Sequence, residues 1–252
     1  MDRYVNVISG LPRTGKTTLL ENITGKPEYK GAVIVRMDEI GDLLWRERQA
    51  VRKGSTDTEL TPTEKVYRNE ATRNEIKKQL IVKNAGIVFS EMPLLTRQYH
   101  QRPLVEIVSS AEWYIQGIEK DIANRNSPPS PVNPSRVHLN VVLLYASPDI
   151  VRERVEKDKE NPRSKSDAGH INIFLDAALK FEFPDCYPYL LVDTTDESLG
   201  ADQQRIEEVI AFLMGSISPQ ELASLNFERM PEAVADLEEA RRQAEIAGIK
   251  RL

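Results

Sequence analysis

The chain has 252 residues, of which 29% are charged, 40% hydrophobic and 6% aromatic, with a formal net charge of −5. That length suits one large domain or one domain with an extension, and the acidic balance argues against a protein that coats nucleic acid, whose footprint is basic. No apolar run approaches a membrane span, and the single cysteine, Cys186, excludes an intrachain disulfide, so a cytoplasmic protein is expected.

Tyr4-Val5-Asn6-Val7-Ile8 predicts the first strand, which starts early enough that no signal peptide is expected. Thr17 to Asn22 predicts a helix. Between them lies Gly10-Leu11-Pro12-Arg13-Thr14-Gly15-Lys16-Thr17, which fits G-x-x-x-x-G-K-[ST] at every fixed position. Backbone N–H groups of such a loop converge on phosphate oxygens, and the helix behind it adds a positive dipole. Gly10 and Gly15 allow backbone angles that a side chain forbids. Lys16 reaches the outer phosphates, and the Thr17 hydroxyl can hold Mg²⁺. Residues 10–17, with Thr18, are therefore expected to bind a nucleoside triphosphate.

Four further apolar runs follow: Ala32 to Val35, Gly86 to Phe89, Val137 to Tyr145 and Tyr189 to Val192. Continuous apolar runs suit strands buried on both faces of a parallel sheet, and helical patterns separate them. Thr61-Pro62-Thr63-Glu64 is a capping box opening a helix that runs to Lys83. Ser147-Pro148-Asp149 opens another. Residues 124–135 hold four prolines and three serines and predict a loop inserted at the sheet edge. From Ser216 two or three polar helices are expected, starting at Pro219-Gln220-Glu221 and Pro231-Glu232. The predicted division is a domain over 1–215 and a helical extension over 216–252.

The candidate site residues follow from this layout. Asp38, at the carboxyl end of the second strand, is the candidate base and acceptor contact; the alternative is an N-cap for a helix Glu39 to Gln49. Glu91 ends the third strand and is placed to accept a water of the Mg²⁺ shell or to form a salt bridge at the sheet edge. Arg73 and Glu70 share a helical arc with Val66, Leu80 and Ile81, which makes Arg73 an acceptor-site candidate; Lys77 shares that arc. Arg97 is a second. Residues 152–165 carry six basic and four acidic side chains, and about 152–169 is expected to be a lid whose Arg154, Arg163 or Lys165 neutralises a transferring phosphoryl group. Thr194-Thr195-Asp196 follows the last strand, and Thr195 is a candidate for reading the base or for a helix cap before Leu199. His100, His138 and His170 make no metal-ligand spacing.

No Asn-Lys-x-Asp guanine reader and no Leu-Ser-Gly-Gly-Gln run of transport ATPases is present. The chain resembles the P-loop kinases of the polynucleotide kinase and zeta-toxin type over about residues 4–214. The matching pieces are Gly10 to Thr17, Arg36-Met37-Asp38-Glu39, Ile87 to Glu91, Val151 to Val155 and Val192-Asp193-Thr194-Thr195. The resemblance implies a five-stranded parallel sheet, order 2-3-1-4-5, wrapped by helices, with a lid after the fourth strand. It implies Arg154 as the arginine leading into that lid, and ATP with Mg²⁺ as the phosphoryl source. The departures are Arg13 where glycine is usual, Glu91 where aspartate is frequent, and an insertion and tail without counterpart. The expected activity is transfer of the γ-phosphoryl group to a hydroxyl of a small metabolite or nucleotide, with Lys16, Asp38, Arg154 and Arg163 in catalytic roles. The alternatives are a polynucleotide 5′-hydroxyl kinase and an ATPase switch whose tail binds a protein partner. Extended nucleic acid is not an expected partner, because basic residues alternate with acidic ones and aromatic platforms for stacked bases are few.

Overall fold

The computed structural model describes residues 1–10, 13–51, 62–93, 101–125, 133–157, 175, 178, 179, 181–185 and 187–248. Five strands form one sheet: β1 (Arg3–Gly10), β2 (Val33–Arg36), β3 (Ile87–Pro93), β4 (Val137–Tyr145) and β5 (Tyr189–Asp193), in the order β2-β3-β1-β4-β5. The β2–β3 and β4–β5 pairs are parallel. The strands are as apolar as both-face burial requires: Val7, Ile8, Val88, Phe89, Val141, Val142, Leu190 and Val192 are fully buried. The helices are α1 (Lys16–Thr24), α2 (Met37–Val51), α3 (Pro62–Ile81), α4 (Arg102–Arg125), α5 (Pro148–Lys157), α6 (Leu199–Leu213) and α7 (Pro219–Ile246). A turn of 3₁₀-helix spans Pro27–Tyr29. No helix among the described residues is long and apolar enough to cross a membrane.

Contacts divide the chain into two compact units. The first comprises Met1–Asn6, Gly31–Glu91 and Gln98–Leu139. In it α3 packs on α2, on α4 and on β2. The face that α3 buries carries Asn69, Thr72, Ile76 and Leu80, whereas Val66 is 44% exposed and Glu70 is exposed. The predicted arc through Val66 and Glu70 is therefore displaced. This helix has few apolar residues, and two of its buried positions, Asn69 and Thr72, are polar, so hydrophobic periodicity has little to fix on. Arg73 is half-buried. Helix α2 starts at Met37, straight from the last strand residue, Arg36, with no residue between them to serve as a cap. Asp38 is thus not the N-cap of a helix beginning at Glu39. It lies inside the first turn, where its charge complements the helix dipole.

The second unit comprises Val7–Lys30, Met92–Arg97 and Asn140–Leu252. Its tail is one 28-residue helix, α7, instead of two or three short ones. Ser218 and Glu221 form a capping box at its start, as Pro219 at the first turn suggests. Pro231, read as a second helix start, lies inside it. Proline removes an N–H and crowds the carbonyl four residues back, that of Phe227. Both Pro231 and Phe227 are exposed, so that carbonyl tilts into water and the helix continues.

Helix α7 packs on β5 and on α5, buries Ala233, Leu237, Ala240 and Ala244, and covers the edge of the sheet. There the Asn226 side-chain amide accepts from Leu191 N–H (2.8 Å) and donates to the Tyr189 carbonyl (2.6 Å). Arg229 donates to the Leu191 carbonyl (2.6 Å) and makes a two-pronged ion pair with Glu208 (2.7 and 2.9 Å).

Asp236 of α7 sits beside Tyr145 of β4 in a small apolar recess with Phe181 and Phe183. Its Oδ2 is buried and has no hydrogen-bond partner among the described residues. Burial, then the charges of Glu232, Asp193 and Asp149, push its carboxyl from 3.8 up to about 6. A carboxyl whose folded value is raised stabilises most while protonated. That contribution is whole below the unfolded value and is lost as pH rises through about 6. Asp236→Asn is therefore expected to leave Tm unchanged near pH 4 and to raise it above pH 6. Scanning calorimetry of both proteins across that range checks the difference; a gain at low pH instead would contradict it.

Candidate nucleotide site and the residues around it

The residues expected to bind phosphate, 10–17, fall in the second unit. Gly10 ends β1, and a Cβ built there would stand 2.6 Å from Thr14 Oγ1 and 2.7 Å from the Leu144 carbonyl oxygen. Only glycine fits. Gly15 takes φ +82° as the N-cap of α1, with no side chain capping the helix. A helix N-terminus without a side-chain cap favours negative charge beside it. Lys16 folds back, its Nζ donating to the Gly10 carbonyl (3.2 Å). Thr14 is buried, while Thr17 and Thr18 are exposed.

Beside the loop opens a cleft of about 330 Å³, walled by residues from α1, α5, α6 and the segment after β5. Arg13, Thr14, Gly15 and Thr18 line it from the loop side, and Asn22, Thr194, Asp202 and Arg205 are among those opposite or beneath. Its polar and charged wall residues are unlike those of a packing defect, and its volume falls in the range of small-ligand sites.

Arg154 is a structural brace of this wall. Its Nε donates to Glu197 (2.8 Å), and its Nη1 to the Arg13 carbonyl (3.1 Å) and to Thr194 Oγ1 (3.3 Å). Its Nη2 donates to the Thr194 carbonyl. The hydrogen bond and charge of Arg154 hold the Glu197 carboxyl below its ordinary value. Thr194 in turn bonds the Tyr145 carbonyl through both its N–H and its hydroxyl (each 2.9 Å). One guanidinium thus ties the phosphate loop to the segment after β5. Thr194, not Thr195, lines the cleft; Thr195 Oγ1 accepts from Ser147 N–H (3.2 Å) and fastens the start of α5. The cap of α6 is Ser198, whose hydroxyl accepts from Ala201 N–H (3.3 Å).

Asp202 and Arg205 were not legible in the sequence as cleft residues. They pair with each other on α6, and Arg205 also donates to the carbonyls of Asp193 (3.1 Å) and Asp196 (2.7 Å). Their i, i+3 spacing reads as an ordinary exposed ion pair, and only the fold brings them to the loop.

The remaining candidates lie in the first unit. Asp38 is exposed on the first turn of α2. The Arg68 guanidinium of α3 packs against Gly41, where a Cβ would stand 3.0 Å from Arg68 Cδ. Burial lowers the pKa of Arg68 from its ordinary value, and the Asp38 charge opposes that. Arg68 had no sequence signal, since it stands beside the expected arc. Glu91 pairs in register with Arg36 and lies 3.9 Å from its Nε, so the sheet-edge ion pair is present. Ser90 donates to the Val35 carbonyl (3.0 Å) and serves the sheet. Lys77 donates to Ser110 (2.9 Å) on α4. His138 stacks on Tyr4 and pairs with Asp2 (3.2 Å). No group of three metal-ligating side chains occurs among the described residues. Leu11, Pro12, Arg97, Arg163, Lys165, His100, His170, Cys186, Thr61, the lid beyond Lys157 and residues 126–132 of the insertion lie outside the described residues.

No family model matches the chain, and no curated protein matches it in sequence. Among solved structures, a protein from Chloroflexus aurantiacus assigned as a kinase superposes with a TM-score of 0.55 at 14% identity, over 84% of this chain and 97% of that one. A sugar kinase from Janibacter sp. superposes with a TM-score of 0.53 at 15% identity, over 88% and 98%. The chain shares the fold of these two structures, and identities this low establish the architecture alone. The sheet order β2-β3-β1-β4-β5 is the one expected from the sequence.

The close approach at Gly10 gives a direct check on the loop. Gly10→Ala places a methyl group against a backbone oxygen that cannot rotate away, and is expected to destabilise the protein by about 1–3 kcal/mol. Urea denaturation measures it; unchanged stability would mean that β1 and β4 do not approach as described.

Proposed function

We propose that the chain is an ATP:Mg²⁺-dependent phosphotransferase that moves the γ-phosphoryl group to a hydroxyl of a small metabolite or nucleotide. The observation that carries this reading is the phosphate loop itself: an uncapped helix N-terminus at Gly15, a glycine at position 10 that nothing else can replace, and a cleft beside them. The likeness of fold to a sugar kinase supports the choice of a small acceptor. The acidic net charge of −5 supports it as well.

In the proposed reaction the acceptor oxygen bonds to the γ-phosphorus as the bond from that phosphorus to the β,γ-bridging oxygen breaks, and ADP leaves. Asp38 orients the acceptor hydroxyl and takes its proton. Its place on an exposed first helical turn leaves its side chain open to an acceptor. Lys16 and the N–H groups opening α1 hold the β- and γ-phosphates, while Arg154 keeps the loop braced to the segment after β5. Mg²⁺, when bound, neutralises the phosphate oxygens, and Thr17 is the side chain proposed to hold it. A place for Glu91 in the metal's water shell, and for Arg73 and Arg97 in acceptor binding, remain proposals drawn from their positions in the chain.

The test is a panel of hydroxyl acceptors with γ-labelled ATP. Label is expected on a small acceptor and is expected to be abolished in Lys16→Ala with the fold intact. Asp38→Asn is expected to lower kcat by about 10²–10⁴ with ATP affinity little changed. Label appearing only on 5′-hydroxyl oligonucleotides would move the assignment to nucleic-acid ends. ATP loss stimulated by a protein partner and by no acceptor would replace the kinase with a switch.

A further inference from the structure

Among the described residues two non-glycine residues have positive φ: Asn84 (55°) and Arg13 (66°). Asparagine tolerates this region because its short amide bonds locally; a long side chain does not have that remedy, and the conformation is strained. Glycine at position 13 would adopt it freely. The one contact of the Arg13 backbone described above, its carbonyl accepting from Arg154 Nη1 at 3.1 Å, would be kept by any residue. It explains why the loop holds this shape, but not why an arginine occupies it. Strain at a cleft is a pointer to a side chain with a task there.

That side chain lines the cleft together with Thr14 and Gly15. Two further arginines, Arg154 and Arg205, also line the cleft. Arg154 is bound to Glu197, Thr194 and the loop, and Arg205 to Asp202 and two carbonyls. A guanidinium carries five donors in a flat fork that matches two oxygens of one phosphate, and it is always charged. Resting on the nucleotide reading above, we propose that the Arg13 side chain is a second fixed cation of the phosphate site, which grips the phosphate chain alongside Lys16 and sets the affinity for the nucleotide.

The test uses the full chain with Arg13→Gly, Arg13→Ala and Arg13→Lys, measuring Kd for ATP by titration calorimetry and Tm without nucleotide. Arg13→Gly removes strain and cation together, so Tm is expected to hold or rise while ATP binding weakens about tenfold or more. Arg13→Ala is expected to weaken binding equally although it keeps the strain, which assigns the loss to the guanidinium. Arg13→Lys is expected to fall between, because it keeps the charge and loses the fork. A merely structural arginine would move Tm and leave Kd alone. Arg13→Gly binding ATP within about twofold of the wild type, while Lys16→Ala loses it, would overturn this role and leave the nucleotide reading standing. A wild-type chain that binds no ATP would sink both.

Discussion

The carbonyl oxygen of Leu144 stands where any side chain on Gly10 would begin. From this single distance much of the second unit follows. With no Cβ between them, the ends of β1 and β4 come together, and Thr14 closes in from the other side. The chain must then turn sharply, and it does so through two residues of left-handed conformation, Arg13 and Gly15, before α1 begins. The turn leaves the first N–H groups of α1 without a side-chain cap, and a helix end of that kind favours negative charge. Arg154 fixes the result by binding the carbonyl at the crest of the turn.

The strands were legible because both-face burial writes a continuous apolar run: all five begin within one residue of where such a run begins, although β3 continues past its run, from Phe89 to Pro93. The strand ending at Gly10 and the helix opening at Lys16 were legible because the spacing of the run between them is dictated by backbone geometry. What failed to show were features decided by packing. Pro231 reads as a helix start in any local window, and only its exposure lets α7 run through it. On α3 the buried face includes Asn69 and Thr72, so its direction could not be taken from hydrophobicity. Asp38 looked like a cap because nothing in the sequence reveals that β2 passes into α2 without a break. The cleft's far wall, Asp202 and Arg205, comes from a part of the chain some 190 residues from the loop, as 202 − 13 = 189 and 205 − 13 = 192 show.

The arginines of the second unit show how one side chain type serves opposite ends. Arg154, Arg205 and Arg229 each donate to backbone carbonyls as well as to a carboxylate. They act as cross-links that no lysine could copy, since an ammonium lacks the planar fork. Removing one would take a hydrogen-bond donor from a carbonyl and a carboxylate at once, which costs more than the loss of a lone surface ion pair. Charge within the wall is thereby balanced locally.

The pairing of Asn226 with β5 has a consequence for what the protein does not become. A sheet ends on a row of N–H and C=O groups able to recruit another chain and to propagate it into a polymer. On β5 that invitation is withdrawn by a counterfeit peptide group: the amide of Asn226 presents one acceptor and one donor at the spacing a neighbouring strand would offer. At the other end of the sheet order, β2 is four residues long and finishes on a charged arginine, which deters a newcomer by brevity and by hydration. The long terminal helix is in this sense a stopper for the sheet, and its polar outer surface is what a crowded solution meets in place of a sticky edge.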